Sequence, residues 1–142
     1  MPDKMKIKNL AAHLKPFSKY FLIAWAVIIL TISSIPSIPT LKVHAGELSF
    51  RLDYLIHIAE YGILSCFAYS TFAEKESQTV LVRYLLITIF LVIFAYADEF
   101  HQKYIPGRSY NLYDFISNFT GIITALLCYL IKRRRKKNEP VA

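Results

Sequence analysis

The chain has 142 residues, of which 55% are hydrophobic and 19% are charged, and its mean hydropathy is +0.37. This composition excludes an ordinary soluble domain and is typical of a small integral membrane protein. The formal net charge is +7, and thirteen of the 17 Lys and Arg residues lie before residue 20, between residues 75 and 83, or after residue 131. Because these basic residues flank apolar runs, they indicate membrane topology and contact with anionic membrane lipid, and we expect no nucleic-acid partner.

Four apolar runs follow one another along the chain, and each is close to the roughly 20 residues that a helix needs to cross a bilayer. They cover about residues 17–35, 53–73, 82–102 and 114–131. The first run is too long for a cleaved signal peptide and ends at the helix-breaking "IPSIPT", so we expect it to be retained. The predicted fold class is therefore all-α, an integral membrane bundle of four transmembrane helices.

The basic residues also predict the orientation of this bundle. They favour a multi-pass protein of the cell membrane with both termini in the cytoplasm. The predicted organisation is a basic cytoplasmic segment at 1–16, a membrane domain at 17–131 and a basic cytoplasmic tail at 132–142. The connections at about 36–52 and 103–113 then face outward.

The second run carries a polar stripe where lipid-facing residues are expected. In "DYLIHIAEY", the residues Asp53, His57 and Glu60 fall at i, i+4 and i+7, which is one face of a helix. An acid at bilayer depth costs on the order of 2–3 kcal/mol even on the mildest insertion scale. The stripe is therefore expected to face a polar pocket rather than lipid.

Further polar residues occur where the third run ends and the fourth begins. They are Asp98, Glu99 and Gln102, then Arg108 in "YIPGRSY", then Asp114 and Asn118. Because the chain reverses direction at each crossing, all of these residues and the stripe should lie at the same face of the membrane. The sequence thus predicts one polar pocket that opens outward.

Less specific interpretations remain open for several of these residues. Asp53 and Asp114 could serve only as helix N-caps, and Glu99 and His101 could point into the lipid headgroup zone. The acids could also form a purely structural polar network. The two cysteines lie inside apolar runs, where a small packed side chain is the common role, and no spacing typical of a zinc site is present.

Three stretches resemble the VanZ-like family of small membrane proteins. They are "ISSIP", "DYLIHIAEY" and "ADEFHQKYIPGRSYNLYDFISNFTG", and together they extend over roughly residues 30–122. The ordered set of Asp98-Glu99, Gln102, Pro106-Gly107-Arg108, Asp114, Asn118 and Gly121 carries most of the likeness, with His57 and Tyr61 in the second run. Tyr54 departs from the pattern, since many members place a basic residue after the Asp.

The resemblance implies a helical membrane protein with this polar constellation. The family's namesake is linked to low-level resistance to the glycopeptide antibiotic teicoplanin, so the resemblance also suggests a role at the cell envelope. It implies no particular reaction and no resistance phenotype for this chain.

Two main hypotheses for function follow. In the first, the chain is an enzyme that acts on a lipid-linked or cell-envelope substrate, with Glu60, His57 and Asp98 as the catalytic candidates. The candidates for substrate binding are Asp53, Glu99, Gln102, Arg108, Asp114 and Asn118. In the second, the same pocket binds a cell-wall precursor or a glycopeptide without catalysis and alters access to it.

Two further hypotheses are weaker. His57 and Glu60, with Asp98 and His101, contain metal-ligand residue types but complete no ligand motif, so neither a metal nor another cofactor is expected. A transporter or a proton pathway would use the same ionisable residues, although four spans without internal repeats are few for alternating access.

Overall fold

The computed structural model describes residues 15–37, 42–45, 48–72 and 79–138. Four helices carry the fold, after a single 3-10 turn at Lys15–Phe17. They are α1 at Ser18–Ser33, α2 at Asp53–Phe72, α3 at Val80–Gln102 and α4 at Leu112–Asn138. The prediction of a helical fold is confirmed, and the four helices coincide with the four apolar runs.

The helix boundaries differ from the predicted spans mainly at the end of the chain. The first three helices begin and end within about two residues of the predicted limits, whereas α4 continues seven residues past residue 131 to Asn138. Its last two turns therefore extend the helix into the basic tail. Residues 1–14 and 139–142 of the predicted terminal segments lie outside the described residues.

A short antiparallel hairpin precedes α2, in a region that the sequence predicted only as an outward loop. Strand β1 (Lys42–Ala45) pairs with strand β2 (Leu48–Arg51), so that Lys42 lies opposite Arg51. Only Leu52 separates β2 from the first residue of α2. The hairpin consequently fixes the backbone of Arg51 beside the N-terminus of α2.

The closest helix pair in the bundle is α2 with α4, which approach each other through two glycines. A Cβ added at Gly121 would lie 2.3 Å from the Ile58 carbonyl oxygen and 2.9 Å from the Gly62 nitrogen. No side chain fits in that space, and small residues at a helix crossing are typical of membrane bundles. Gly121 packs on Ile58, the residue that follows His57 in α2, so this contact brings α4 close to His57.

Two of the helices, α3 and Leu112–Arg135 of α4, are long and apolar enough to cross a membrane. Helix α1 is equally apolar in character but has 16 residues, and the polar residues in the first two turns of α2 lower its mean hydropathy. Large apolar side chains cover the outer surface of the bundle. Phe90, Leu86 and Ile93 of α3, for example, are 60–68% exposed. Such exposure is typical of a surface that faces lipid.

Candidate functional site

The buried and half-buried carboxyl, amide and imidazole side chains of the described bundle are concentrated at one end, where α2 begins, α3 ends and α4 begins. We call this group the polar layer. Its members are His57, Glu60, Tyr61, Asp98, Glu99, Gln102, Asp114 and Asn118. Antiparallel neighbours place the start of one helix beside the end of the next, so residues from separate segments meet at one depth.

Glu99 is the centre of the polar layer, and its side chain is fully buried. Its Oε1 atom accepts a hydrogen bond from Asn118 Nδ2 at 3.1 Å and a longer one from Gln102 Nε2 at 3.5 Å. Glu99 and Gln102 are one turn apart on α3, while Asn118 reaches across from α4. The interpretation of Glu99 as a residue of the headgroup zone is therefore wrong, whereas His101, two positions later, is exposed.

The hydrogen bonds of Asn118 determine which nitrogen of His57 carries a proton. Because the Asn118 amide nitrogen donates to Glu99, its Oδ1 atom faces His57, whose Nδ1 lies 3.0 Å away. An amide oxygen can only accept, so Nδ1 must be the protonated nitrogen. In the neutral ring this leaves Nε2 with its lone pair free to accept a proton.

Three carboxylates surround the His57 ring within 4 Å. Oxygen atoms of Glu60 and Glu99 each lie 3.9 Å from Nδ1, and an oxygen of Asp114 lies 3.8 Å from Nε2. The side chains of His57, Glu60 and Asp114 retain 14%, 16% and 11% exposure, while Glu99 has none. His57, Glu60 and Asp114 are thus the members of this cluster that an incoming molecule can reach.

Asp98 contacts Tyr61, which lies one turn after His57 on the same face of α2. The Tyr61 hydroxyl donates to Asp98 Oδ2 at 3.0 Å, and Tyr61 is fully buried. The hydroxyl of Ser33, at the end of α1, interacts with the Asp98 carboxylate without reaching hydrogen-bond geometry. Asp98 therefore connects three helices of the bundle.

Several oxygen atoms of the polar layer are buried without a hydrogen-bond partner among the described residues. They are Asp98 Oδ1, Glu99 Oε2, Asp114 Oδ1 and, beside them, Ser33 Oγ. A buried acceptor that lacks a donor costs roughly 1–3 kcal/mol, and native structures contain few of them. Their concentration here marks a site that can receive donor groups from a ligand or water.

Asp53 and Arg51 form an ion pair at the edge of the polar layer. Arg51 Nη2 and Nε lie 2.8 and 3.1 Å from Asp53 Oδ2, and Nη2 is also 3.8 Å from Asp114 Oδ1. The hydrogen bond to Asp53 raises the pKa of Arg51 further above its ordinary value, so this guanidinium remains charged. Arg51 supplies the positive charge beside Asp53 that the sequence lacks at Tyr54.

Arg108 contacts the end of α1 rather than the acids of the polar layer. Its Nη1 atom donates to the carbonyl oxygens of Ile32 at 3.1 Å and Ile35 at 3.4 Å. Gly107 has a φ of 74°, and its turn packs directly on Ser37. The 103–111 loop therefore holds α1 against the site, and the other side-chain nitrogens of Arg108 have no hydrogen-bond partner among the described residues.

The N-cap of α4 is Asn111, which leaves Asp114 inside the first turn. Asn111 Oδ1 accepts a hydrogen bond from the Tyr113 nitrogen at 3.1 Å. Asp114 is not needed as a cap, and its carboxylate faces His57 and Arg51. A negative charge in the first turn also interacts favourably with the helix dipole.

No role in the site was predicted for four residues of this region: Tyr61, Ser33, Arg51 and Asn111. Tyr61 precedes Ser65 and Ala68 on the buried side of α2, so helical periodicity could have placed it inside. Arg51 could not be found in this way, because the hairpin that positions it leaves no clear signal. Within the described segments, no group of three or more His, Cys, Asp or Glu residues has an arrangement that would hold a metal ion.

The sequence model of the VanZ/LLP1 family matches residues 4–133, which is nearly the whole chain. No curated protein and no solved structure is significantly similar to it. The matched range includes all members of the polar layer and both glycines of the α2–α4 contact. The chain therefore belongs to the VanZ/LLP1 family.

Proposed function

We propose that this protein is a membrane enzyme that uses the polar layer for proton transfer on a lipid-linked or cell-envelope substrate. The observation that carries the proposal is the hydrogen-bonded series from Glu99 through Asn118 to His57. It holds the imidazole in one tautomer, with Nε2 free, next to the accessible carboxyl group of Glu60. A base oriented by a second residue, itself oriented by a third, is the arrangement that proton-transfer catalysis requires.

The roles follow from position. His57 Nε2 accepts a proton from the attacking hydroxyl group of water or substrate, and the carboxylates of Glu99 and Asp114 stabilise the resulting imidazolium. Glu60 is the candidate acid: it starts protonated and gives that proton to the leaving oxygen, and the proton held by His57 then restores it. Asp98 is held by Tyr61 and is the third candidate for proton exchange. Glu99, Gln102 and Asn118 act as positioning residues through their contacts with one another and with His57.

The substrate-binding candidates are arranged around this centre. Asp114 and the Arg51–Asp53 pair line one side, and the free donors of Arg108 offer a contact for a phosphate or carboxylate oxygen. We propose that all four helices cross the membrane, with both termini in the cytoplasm, so that the polar layer opens on the outer face. The six basic residues at 132–137 and the basic segment at 4–19 support this orientation.

The experiment measures turnover by the purified chain in lipid vesicles. The vesicles contain total envelope lipid extract with lipid-linked cell-wall precursor, and mass spectrometry compares their contents before and after incubation. We expect a new product with the unmodified chain and at least about a hundredfold less with Glu60→Gln or His57→Gln. His101→Gln is the matched control, because His101 lies at the same polar end of the bundle but is exposed.

The non-catalytic alternative gives a different result in the same experiment. A protein that only binds a precursor or a glycopeptide would change no lipid or precursor mass, and Glu60→Gln would weaken binding by a modest factor. Absence of any product with the unmodified chain, across extracts from several envelopes, would contradict the enzymatic proposal.

A further inference from the structure

An apolar groove runs along the side of the bundle between α1, α2 and α3. It has a volume of about 580 Å³, within the range of pockets that hold small ligands. Its lining consists of apolar side chains, among them Val27, Leu30, Leu64, Ala68, Phe90 and Phe94. Val27 and Phe90 are 56% and 68% exposed, so the groove is open sideways, toward the surroundings of the bundle.

The groove begins one helical turn from the polar end of the bundle on all three helices. Leu30 is three residues before Ser33, Leu64 is three residues after Tyr61, and Phe94 is four residues before Asp98. One helical turn therefore separates the polar layer from the groove on each helix. A molecule with a polar head and an apolar chain can occupy both regions at once.

The length of the groove matches one half of a bilayer. On α3 it extends from Phe94 to Leu86, eight residues or about 12 Å at the helical rise. A single leaflet of a hydrocarbon core about 30 Å thick measures about 15 Å. On α2 the groove extends from Leu64 to Phe72, the last residue of the helix. The groove thus begins where the polar layer ends and continues through the opposite half of the bundle, so it suits the distal part of a hydrocarbon chain whose polar end lies at the polar layer.

The charges of the polar end indicate what kind of head group fits there. Its acids are Asp53, Glu60, Asp98, Glu99 and Asp114. Of its two guanidinium groups, that of Arg51 pairs with Asp53, and that of Arg108 uses one nitrogen for carbonyl oxygens of α1, so five acids face the remaining donors of one guanidinium group. Glu60 and Asp114 keep partly exposed carboxyl groups. Asp98 Oδ1 and Glu99 Oε2 are buried acceptors without a donor among the described residues. A head group that brings O–H or N–H donors complements this surface better than one that offers only acceptors.

We infer that the groove holds a hydrocarbon chain of a membrane lipid whose head group donates hydrogen bonds to the polar layer. The substrate class of the proposed enzyme is then a membrane lipid with a hydroxyl-bearing or ammonium head group. The inference rests on the proposed function for its chemistry, but lipid binding can be measured without turnover.

The test is photolabelling of the full-length chain in vesicles that contain a small fraction of lipid with a diazirine in its acyl chain. Three probes differ only in the head group: glucosyl diacylglycerol, phosphatidylethanolamine and phosphatidylcholine. Phosphatidylcholine is the matched control for phosphatidylethanolamine, because its quaternary ammonium has no N–H donor. Mass spectrometry compares labelling at groove residues with labelling at Leu85 and Leu127, which are exposed and lie outside the groove.

We expect at least fivefold more label in the groove than at the two outside positions with one or both donor-bearing probes, and at most one third of that label with phosphatidylcholine. The better of the two donor probes identifies the head group as a sugar or an ammonium. Equal labelling of groove and outside positions would overturn the inference, and equal groove labelling by phosphatidylethanolamine, the glucosyl lipid and phosphatidylcholine would overturn the head-group assignment.

Two neighbouring tryptophan substitutions separate groove occupancy from a general effect on the helix. Val27→Trp fills the groove and is expected to reduce the groove label at least fivefold. Ile28→Trp, on the adjacent exposed position outside the groove, is expected to leave it unchanged. Glu60→Gln should retain the label while losing turnover. A labelled groove in a chain that forms no product would uphold the lipid site and reject the enzyme, whereas turnover without groove labelling would do the reverse.

Discussion

The bundle contains two buried polar networks, and they differ in how completely their groups are paired. In the network at the other end, the Tyr69 hydroxyl lies 2.7 Å from Thr88 Oγ1, and the Tyr129 hydroxyl lies 2.5 Å from Ser70 Oγ. Thr88 also donates to the Tyr84 carbonyl oxygen at 2.7 Å. These are neutral hydroxyl groups that satisfy one another. None of them is among the buried unpartnered atoms of the described residues.

The polar layer is built from carboxyl, imidazole and amide groups, and three of its carboxyl oxygens lack a hydrogen-bond donor among the described residues. Hydroxyl networks hold membrane helices together at modest energies, and the paired end needs no other purpose. Acids left partly unpaired are costly in the same environment. Under the proposed function, the hydroxyl network serves stability, whereas the polar layer gives up some stability for proton transfer.

Asn118→Leu should have the largest effect on the polar layer, because Asn118 contacts both Glu99 and His57. Turnover should fall at least about a hundredfold as His57 loses its orientation. The free energy of unfolding should fall by about 1–3 kcal/mol, because a buried acceptor loses a donor. Turnover in vesicles and denaturation in detergent measure the two effects.

Asn111→Ala is the matched control for that variant. It removes the N-cap of α4 at a cost of about 1 kcal/mol but touches no member of the polar layer. Turnover should stay within about twofold of the unmodified chain. A similar loss of turnover in both variants would mean that stability, rather than the orientation of His57, limits activity.

The two glycines of the α2–α4 contact offer a test of the framework that both networks share. Gly121→Ala places a Cβ against the Ile58 carbonyl and should reduce the free energy of unfolding by about 1–3 kcal/mol. Gly62→Ala meets its nearest atom, the Gly121 carbonyl oxygen, at 3.7 Å and should be tolerated. Thermal denaturation in detergent compares them, and equal stability would argue against the close helix approach.

Tyr61→Phe and Tyr69→Phe compare the two networks directly, because each substitution removes one tyrosine hydroxyl group, the first from the polar layer and the second from the hydroxyl network. Each loses one buried hydrogen bond, to Asp98 or to Thr88, and about 0.5–1.5 kcal/mol of stability. Only Tyr61→Phe should also reduce turnover, by about tenfold, which corresponds to about 1.4 kcal/mol of activation free energy. Equal turnover in the two variants would remove the functional distinction between the networks.

Arg51→Gln should have the smallest effect. The Arg51 side chain is 28% exposed, so its pair with Asp53 contributes at most about 1 kcal/mol, and less at high salt. Turnover should change by less than about fivefold. A much larger loss, measured at matched protein level, would move Arg51 from the edge of the site to its centre.

Much of the site could be predicted from sequence because helical periodicity and chain reversal are both readable. The stripe of Asp53, His57 and Glu60 follows from spacing, and its neighbours Asp98 and Asn118 follow from the alternation of crossings. What the sequence could not give is side-chain direction within one turn. Glu99 and His101 are two residues apart on the same helix, and one is fully buried while the other is exposed.

The remaining differences arise where tertiary contacts override local patterns. Arg108 was expected over the pocket mouth as an anion clamp, and that role stays a prediction; what the sequence did not indicate is that the turn at Gly107 packs on Ser37 and directs one Arg108 nitrogen to carbonyls of α1. The hairpin that brings Arg51 to Asp53 forms in a stretch without a strong strand signal. Long-range contacts of this kind depend on the whole bundle and not on a motif.

The position of the ring proton of His57 tests the proposed site most directly, because the proposal requires Asn118 to hold Nδ1 as the protonated nitrogen. Nitrogen-15 NMR of histidine-labelled protein at pH 9, with His57→Gln to assign the signal, reports the proton position in the neutral ring. We expect the proton on Nδ1 in the unmodified chain, and we expect Nδ1 to lose it in Asn118→Leu. A proton on Nε2 in the unmodified chain, unchanged in Asn118→Leu, would contradict the proposal.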